Sequence, residues 1–146
     1  EISICDWSSD VCSSDLVLAT VCGSRPYCSL MAYATDVECT EIYLATQRGT
    51  KKFRNLTANA AVSLLIDSRE KAPRSEAQAL TVEGSCTEVE NPADQALVRA
   101  RLHAAHPHLG EFLAHPECVL LRVQVESFLL LKDLSEAYHV RLGNNA

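Results

Sequence analysis

Four cations, Arg48, Lys51, Lys52 and Arg54, crowd into one short stretch of a chain whose formal net charge is -6. No acidic residue lies between Ile42 and Ile66. A local reversal of charge against the global balance is the footprint of an anion site. The stretch falls between the end of an expected strand and the first turn of an expected helix. Unpaired backbone N–H groups and the helix dipole both favour a phosphate there. Gly49 allows close backbone approach, and Thr46 and Thr50 offer hydroxyl donors. The competing reading of the same residues is a solvated basic helix face.

Other reactive side chains form weaker patterns. His103, His106 and His108, with His115 beyond, make the one histidine cluster. His103 and His106 lie three apart, as metal ligands on a helix sometimes do, but Pro107 interrupts the helix before His108. They read as surface or helix-end histidines, and no metal is expected. Seven cysteines, at 5, 12, 22, 28, 39, 86 and 118, include no Cys-x-x-Cys pair and read as reduced, half-buried thiols. Neither a cysteine hydrolase nor an acid/base pair at Glu88 and Glu90 finds support, and those glutamates read as solvated.

The elements that must carry these residues alternate between short strands and two helical stretches. Strands are expected over Val17–Cys22, Tyr27–Thr35, Glu41–Thr46, Ala61–Ile66, Ala77–Val89 and Cys118–Leu131, with turn chemistry at 23–26. Gly84 marks a bulge or bend within its strand. Thr50 caps a helix over Lys51–Ala58, where Phe53 and Leu56 share a face and Asn59 closes the end. Asn91 and Pro92 open a second helix, which His106 and Pro107 end before a further helical turn or two. Residues 67–76 read as a charged surface loop, and the tail from Lys132 as polar. The order β-β-β-α-β-β-α-β, with hairpins in its first half, predicts a mainly β fold with flanking helices. Six antiparallel strands then close a small split barrel. No Gly-x-Gly-x-x-Gly follows a strand, so a Rossmann unit is not expected.

At 146 residues the chain makes one domain, with 47% hydrophobic and 22% charged residues. The acidic balance argues against a nucleic-acid partner, and no apolar run is long enough to span a bilayer. Unpaired cysteines favour the cytoplasm. Residues 1–16 have neither helical nor strand period, and Asp6 to Leu16 looks like the in-frame translation of a sequencing adapter. They are set apart from a domain over 17–146 and from every functional argument.

Leu18-Ala19-Thr20, Arg25-Pro26, Ser29-Leu30-Met31-Ala32, Tyr43-Leu44-Ala45-Thr46, Lys51-Lys52-Phe53-Arg54-Asn55-Leu56, Asn59 and Val62-Ser63-Leu64-Leu65 follow one another in an order that resembles the pyridoxamine 5'-phosphate oxidase-like family. The likeness runs through most of Val17 to Leu131. It implies a split-barrel homodimer holding FMN in a groove between subunits, with hydride exchanged between the flavin and a small-molecule substrate. By position, Thr46 matches a residue beside the flavin ring and ribityl chain. Lys51 and Lys52 match the basic pair on the FMN phosphate, where Arg-Lys is common; Lys keeps the charge without the bidentate geometry. Ser29 and Leu30 match the strand segment lining the ring, and Arg48 is a further phosphate or ribityl contact. Gln78 lies one residue from a flavin-binding Gln position, which Ala79 occupies. The tail Tyr138-His139-Val140-Arg141 departs from the oxidase's Arg-x-His order, so the oxidase's own substrate is not implied. The alternatives are a non-catalytic flavin or haem protein, or an F420-dependent reductase.

Overall fold

The computed structural model describes residues 15–67, 78–132 and 136–142. The adapter-like run falls on residues outside that set except for Asp15 and Leu16, and the expected charged loop lies outside it except for Asp67. The strands are β1 (Asp15–Cys22), β2 (Arg25–Ala32), β3 (Ala34–Thr35), β4 (Glu41–Gln47), β5 (Ala61–Asp67), β6 (Gln78–Glu88), β7 (Cys118–Lys132) and β8 (Glu136–Arg141). The helices are α1 (Lys51–Ala58), α2 (Pro92–Ala105) and α3 (Gly110–Ala114), with a 3-10 turn at Pro107–Leu109.

All pairings are antiparallel, in the order β2-β1-β5-β6-β7-β4-β3, with β8 also on β7. The sheet curls into a half-barrel, the expected split-barrel fold. Its strand count exceeds the expected six for two reasons. Tyr33 interrupts the second strand, separating β2 from β3, and the polar tail adds β8 along the back half of β7. Position 23 carries the hairpin: Gly23 takes φ 63° in the two-residue turn between Cys22 and Arg25.

Period-two alternation decides which side chains enter the barrel. Leu16, Leu18, Ile42, Leu44, Leu64, Ile66, Leu80, Val82, Leu121 and Val123 point inward and are buried, and Phe53 and Leu56 of α1 close over them. Leu16 lies before the expected start of β1 yet belongs to this core. A second cluster forms on the opposite face of β4 and β7, where Tyr43 and Leu120 meet Val98, Leu102 and Leu113 of α2 and α3. Gly84 marks the bulge: the β6–β7 register shifts between Glu83 and Gly84. A Cβ at Gly84 would collide with the backbone oxygen of Gln124.

Among the described residues, helices cover only part of the outer face. Across the bare part, Leu30, Val17, Leu65, Thr81 and Leu129 stand directly opposite one another on β2, β1, β5, β6 and β7. Leu30 is 72% exposed and Leu65 41%. Among the described residues, no helix is long and apolar enough to cross a membrane.

Candidate functional site

A groove of about 350 Å³ opens where four pieces of the fold meet. One wall is the end of β2 (Leu30, Met31, Ala32) and the floor is the end of β4 (Ala45, Thr46, Gln47). Thr50 and Lys52 bring the first turn of α1 to it, and Leu102, Leu109 and Phe112 form the far wall. The two walls are apolar, the floor carries the polar Thr46 and Gln47, and no acidic residue occupies the first turn of α1.

The four cations of the basic stretch have four different fates. Arg48 pairs with Glu88 at 3.0 Å and lies 5.5 Å over the Phe53 ring, outside the groove lining. Glu88, read as solvated, is therefore an ion-pair partner. Arg54 turns back to donate to the Gly49 carbonyl at 3.1 Å. Lys51 holds its ammonium 4.8 Å from the centre of the Tyr27 ring. Lys52 alone lines the groove. Its backbone and that of Lys51 lead α1, where N–H groups lack intrahelical acceptors.

Thr46 and Thr50 do not offer the donors expected of them. Thr50 donates its hydroxyl proton to the Gln47 carbonyl at 2.8 Å and accepts the Phe53 N–H at 3.4 Å as the cap of α1. Its oxygen lies 3.1 Å from that of Thr46. With the Thr50 proton spent on a carbonyl, Thr46 is the donor in that pair. Both protons are used within the chain, which leaves the Lys52 ammonium and the leading amides of α1 as the donors at that end of the groove.

Of the other expected contacts, Leu30 lines the groove. Ser29 sits opposite Leu18 in the β1–β2 ladder, half-buried and outside the lining. Gln78 opens β6 opposite Lys132, also outside it. The structure thus brings Leu30, Thr46 and Lys52 together, with Lys51 at the rim turn, and leaves Ser29, Arg48 and Gln78 elsewhere.

Three features escaped the sequence reading. Asn55 is buried in α1 and donates to Thr20 on β1 at 3.0 Å, fastening the helix to the barrel. Its place on the inward face beside Leu56 was the available signal. His106 is 5% exposed rather than at the surface, with Nε2 2.8 Å from the Tyr33 carbonyl. Phe112, on the far wall, gave no signal beyond being apolar. Among the described residues no group of three or more His, Cys, Asp or Glu could hold a metal ion. The cysteines divide: Cys22, Cys28, Cys86 and Cys118 are free, whereas Cys39 is disulfide-bonded, against the expectation of reduced thiols. Burial pushes the Cys86 thiol up to about 12 and raises that of Cys118. Burial, with a hydrogen bond to Glu41, likewise raises the Tyr43 phenol to about 12.

The sequence profile of the family described as pyridoxamine 5'-phosphate oxidase matches residues 13–132. No curated protein matches significantly by sequence. Among solved structures, a heme-binding protein from Mycobacterium smegmatis superposes with a TM-score of 0.80 at 17% identity. That match covers 97% of this chain but 59% of that one. A putative pyridoxamine 5'-phosphate oxidase from Listeria innocua gives 0.69 at 18% identity, covering 88% and 98%. A FAD-binding protein from Mesorhizobium loti also gives 0.69 at 18%, covering 88% and 94%. At these identities the likeness is one of fold.

Proposed function

The chain belongs to the pyridoxamine 5'-phosphate oxidase family, and we propose that it is a flavin-binding member acting on a small molecule, with FMN held in the groove between β2, β4 and α1. The observation that carries this reading is Lys52 at the acid-free first turn of α1, at one end of a groove whose walls are apolar. The chemistry of the lining fits an amphipathic cofactor: a cation and helix amides at one end suit a phosphate, and apolar walls suit a planar ring. Lys52 binds the anionic end. Leu30 and Met31 supply one apolar wall, and Leu109 and Phe112 the other, keeping water from the ring. Lys51 raises the local potential from the rim. Bound there, the flavin supplies the redox chemistry, and the chain's residues orient it and shape its surroundings.

We extend the proposal to a homodimer. The row Leu30, Val17, Leu65, Thr81 and Leu129 forms an apolar stripe of the kind that a second subunit covers. Leu30 belongs both to that stripe and to the groove lining, so a partner seated on the stripe would border the cofactor.

The heme-binding neighbour motivates one second reading, a haem protein. No histidine lines the groove, which favours flavin. Heat-released cofactor from the purified protein, identified by mass spectrometry, tests the proposal. FMN with a yellow flavin spectrum is expected. A Soret band with released haem, or F420 in the supernatant, would replace this reading with the corresponding alternative.

A further inference from the structure

The histidine cluster plays no part in that proposal, yet one of its members spans the site. His106 ends α2, its backbone N–H donating to the Leu102 carbonyl at 2.8 Å. Its ring is buried among α2, the 3-10 turn and the break between β2 and β3. Nε2 lies 2.8 Å from the Tyr33 carbonyl, and a carbonyl only accepts, so Nε2 carries the proton. The carbonyl of His106 in turn accepts the Leu109 N–H at 3.0 Å. One residue therefore ties two pieces of backbone. On one side Tyr33 follows directly after Met31 and Ala32, which line the near wall. On the other, Leu109 and Phe112 form the far wall.

We infer that His106 is a positioning residue that sets the width of the groove through the Nε2–H to Tyr33 carbonyl bond, holding the α2–α3 turn against the end of β2. Two further bonds brace the same layer without touching this junction. Arg99 donates to the Leu113 carbonyl at 3.2 Å, and Arg101 reaches the Thr35 carbonyl at 3.5 Å. Removing the imidazole leaves the helical layer attached but frees the turn that carries Leu109 and Phe112. A buried carbonyl that loses its donor is costly, so the turn shifts to let water in.

The inference rests on the groove being the cofactor site, and its test has one arm that needs no cofactor. His106→Ala, His106→Gln and Leu80→Ala are compared with the wild type, each under conditions where it is folded. Leu80→Ala truncates a buried side chain of β6 outside the groove lining and serves as a control for general destabilisation. In the first arm, amide hydrogen exchange of Leu109, Phe112 and Leu113 accelerates in His106→Ala, is restored in His106→Gln and is unchanged in Leu80→Ala. In the second, FMN affinity falls about tenfold in His106→Ala, the scale of one lost buried hydrogen bond, and recovers in His106→Gln. Exchange unchanged in His106→Ala, or FMN affinity lost equally in Leu80→Ala, overturns the role. A wild-type protein that takes up no flavin sinks the cofactor proposal instead, and the exchange arm still decides whether His106 holds the turn.

Discussion

A cation's value at a site depends on what else competes for it. Arg48 is held by Glu88, forty residues away in sequence, and Arg54 by its own loop carbonyl. The reversal of charge around Lys51 and Lys52 was legible in the sequence because it needs only composition and order. Which of the four cations reaches the groove was not legible, because Tyr27 and Glu88, the partners of Lys51 and Arg48, come from β2 and β6. The hydroxyls illustrate the same limit: donor capacity is read from residue type, but its use at Thr46 and Thr50 is fixed by a cap and a loop carbonyl. Thiol chemistry separates just as sharply. Cys22 and Cys28 are exposed and should react with Ellman's reagent in the native protein, while Cys86 reacts after unfolding. Burial lifts the Cys86 thiol from 9.0 to about 12, so the unfolded thiol loses its proton first as pH rises. Stability contributed by the protonated thiol is intact below the ordinary value and is lost between it and about 12. Denaturant midpoints across that alkaline window should therefore fall less steeply for Cys86→Ala than for the wild type; equal slopes would contradict the assignment.

Elements were legible where period and punctuation agreed. The cap at Thr50, the Asn91–Pro92 start of α2 and the alternation of β7 follow local rules, and all three are observed. Gly84 was identifiable because glycine inside a long alternating strand has little to contribute except close approach. Its replacement gives a direct check: Gly84→Ala presses a methyl group into the Gln124 backbone, which cannot move aside as a side chain would. We expect a loss of about 1–3 kcal/mol in denaturant unfolding, the range for overpacking, and a neutral result would contradict the tight β6–β7 bulge. Two boundaries were hidden. Tyr27 to Thr35 alternates too loosely to reveal a break at Tyr33, whose carbonyl is satisfied by the histidine that caps α2 rather than by a strand neighbour in the sequence. The tail is too polar to announce β8, which forms because the back half of β7 extends beyond the reach of β4.

At the scale of the molecule, a mainly antiparallel split barrel followed from short strands, hairpin turns and two helices, and family membership now stands on the profile match over residues 13–132. The bare outer stripe could not be read from the sequence, since Leu30, Leu65 and Leu129 become neighbours only through the register of five strands. If a second subunit covers the stripe, the wild type sediments at twice its 16.0 kDa and Leu65→Arg shifts it to the monomer. A wild type that is monomeric at all accessible concentrations would contradict the dimer. Lys52 gives the groove its basic end, and titration calorimetry of FMN into the cofactor-stripped wild type, Lys52→Ala and Lys51→Ala tests the proposed phosphate contact most directly. Loss of a charge-assisted phosphate contact should weaken Lys52→Ala by roughly one to two orders of magnitude, with a smaller loss in Lys51→Ala, whose ammonium rests on Tyr27. Lys52→Ala binding FMN as tightly as the wild type would contradict the account.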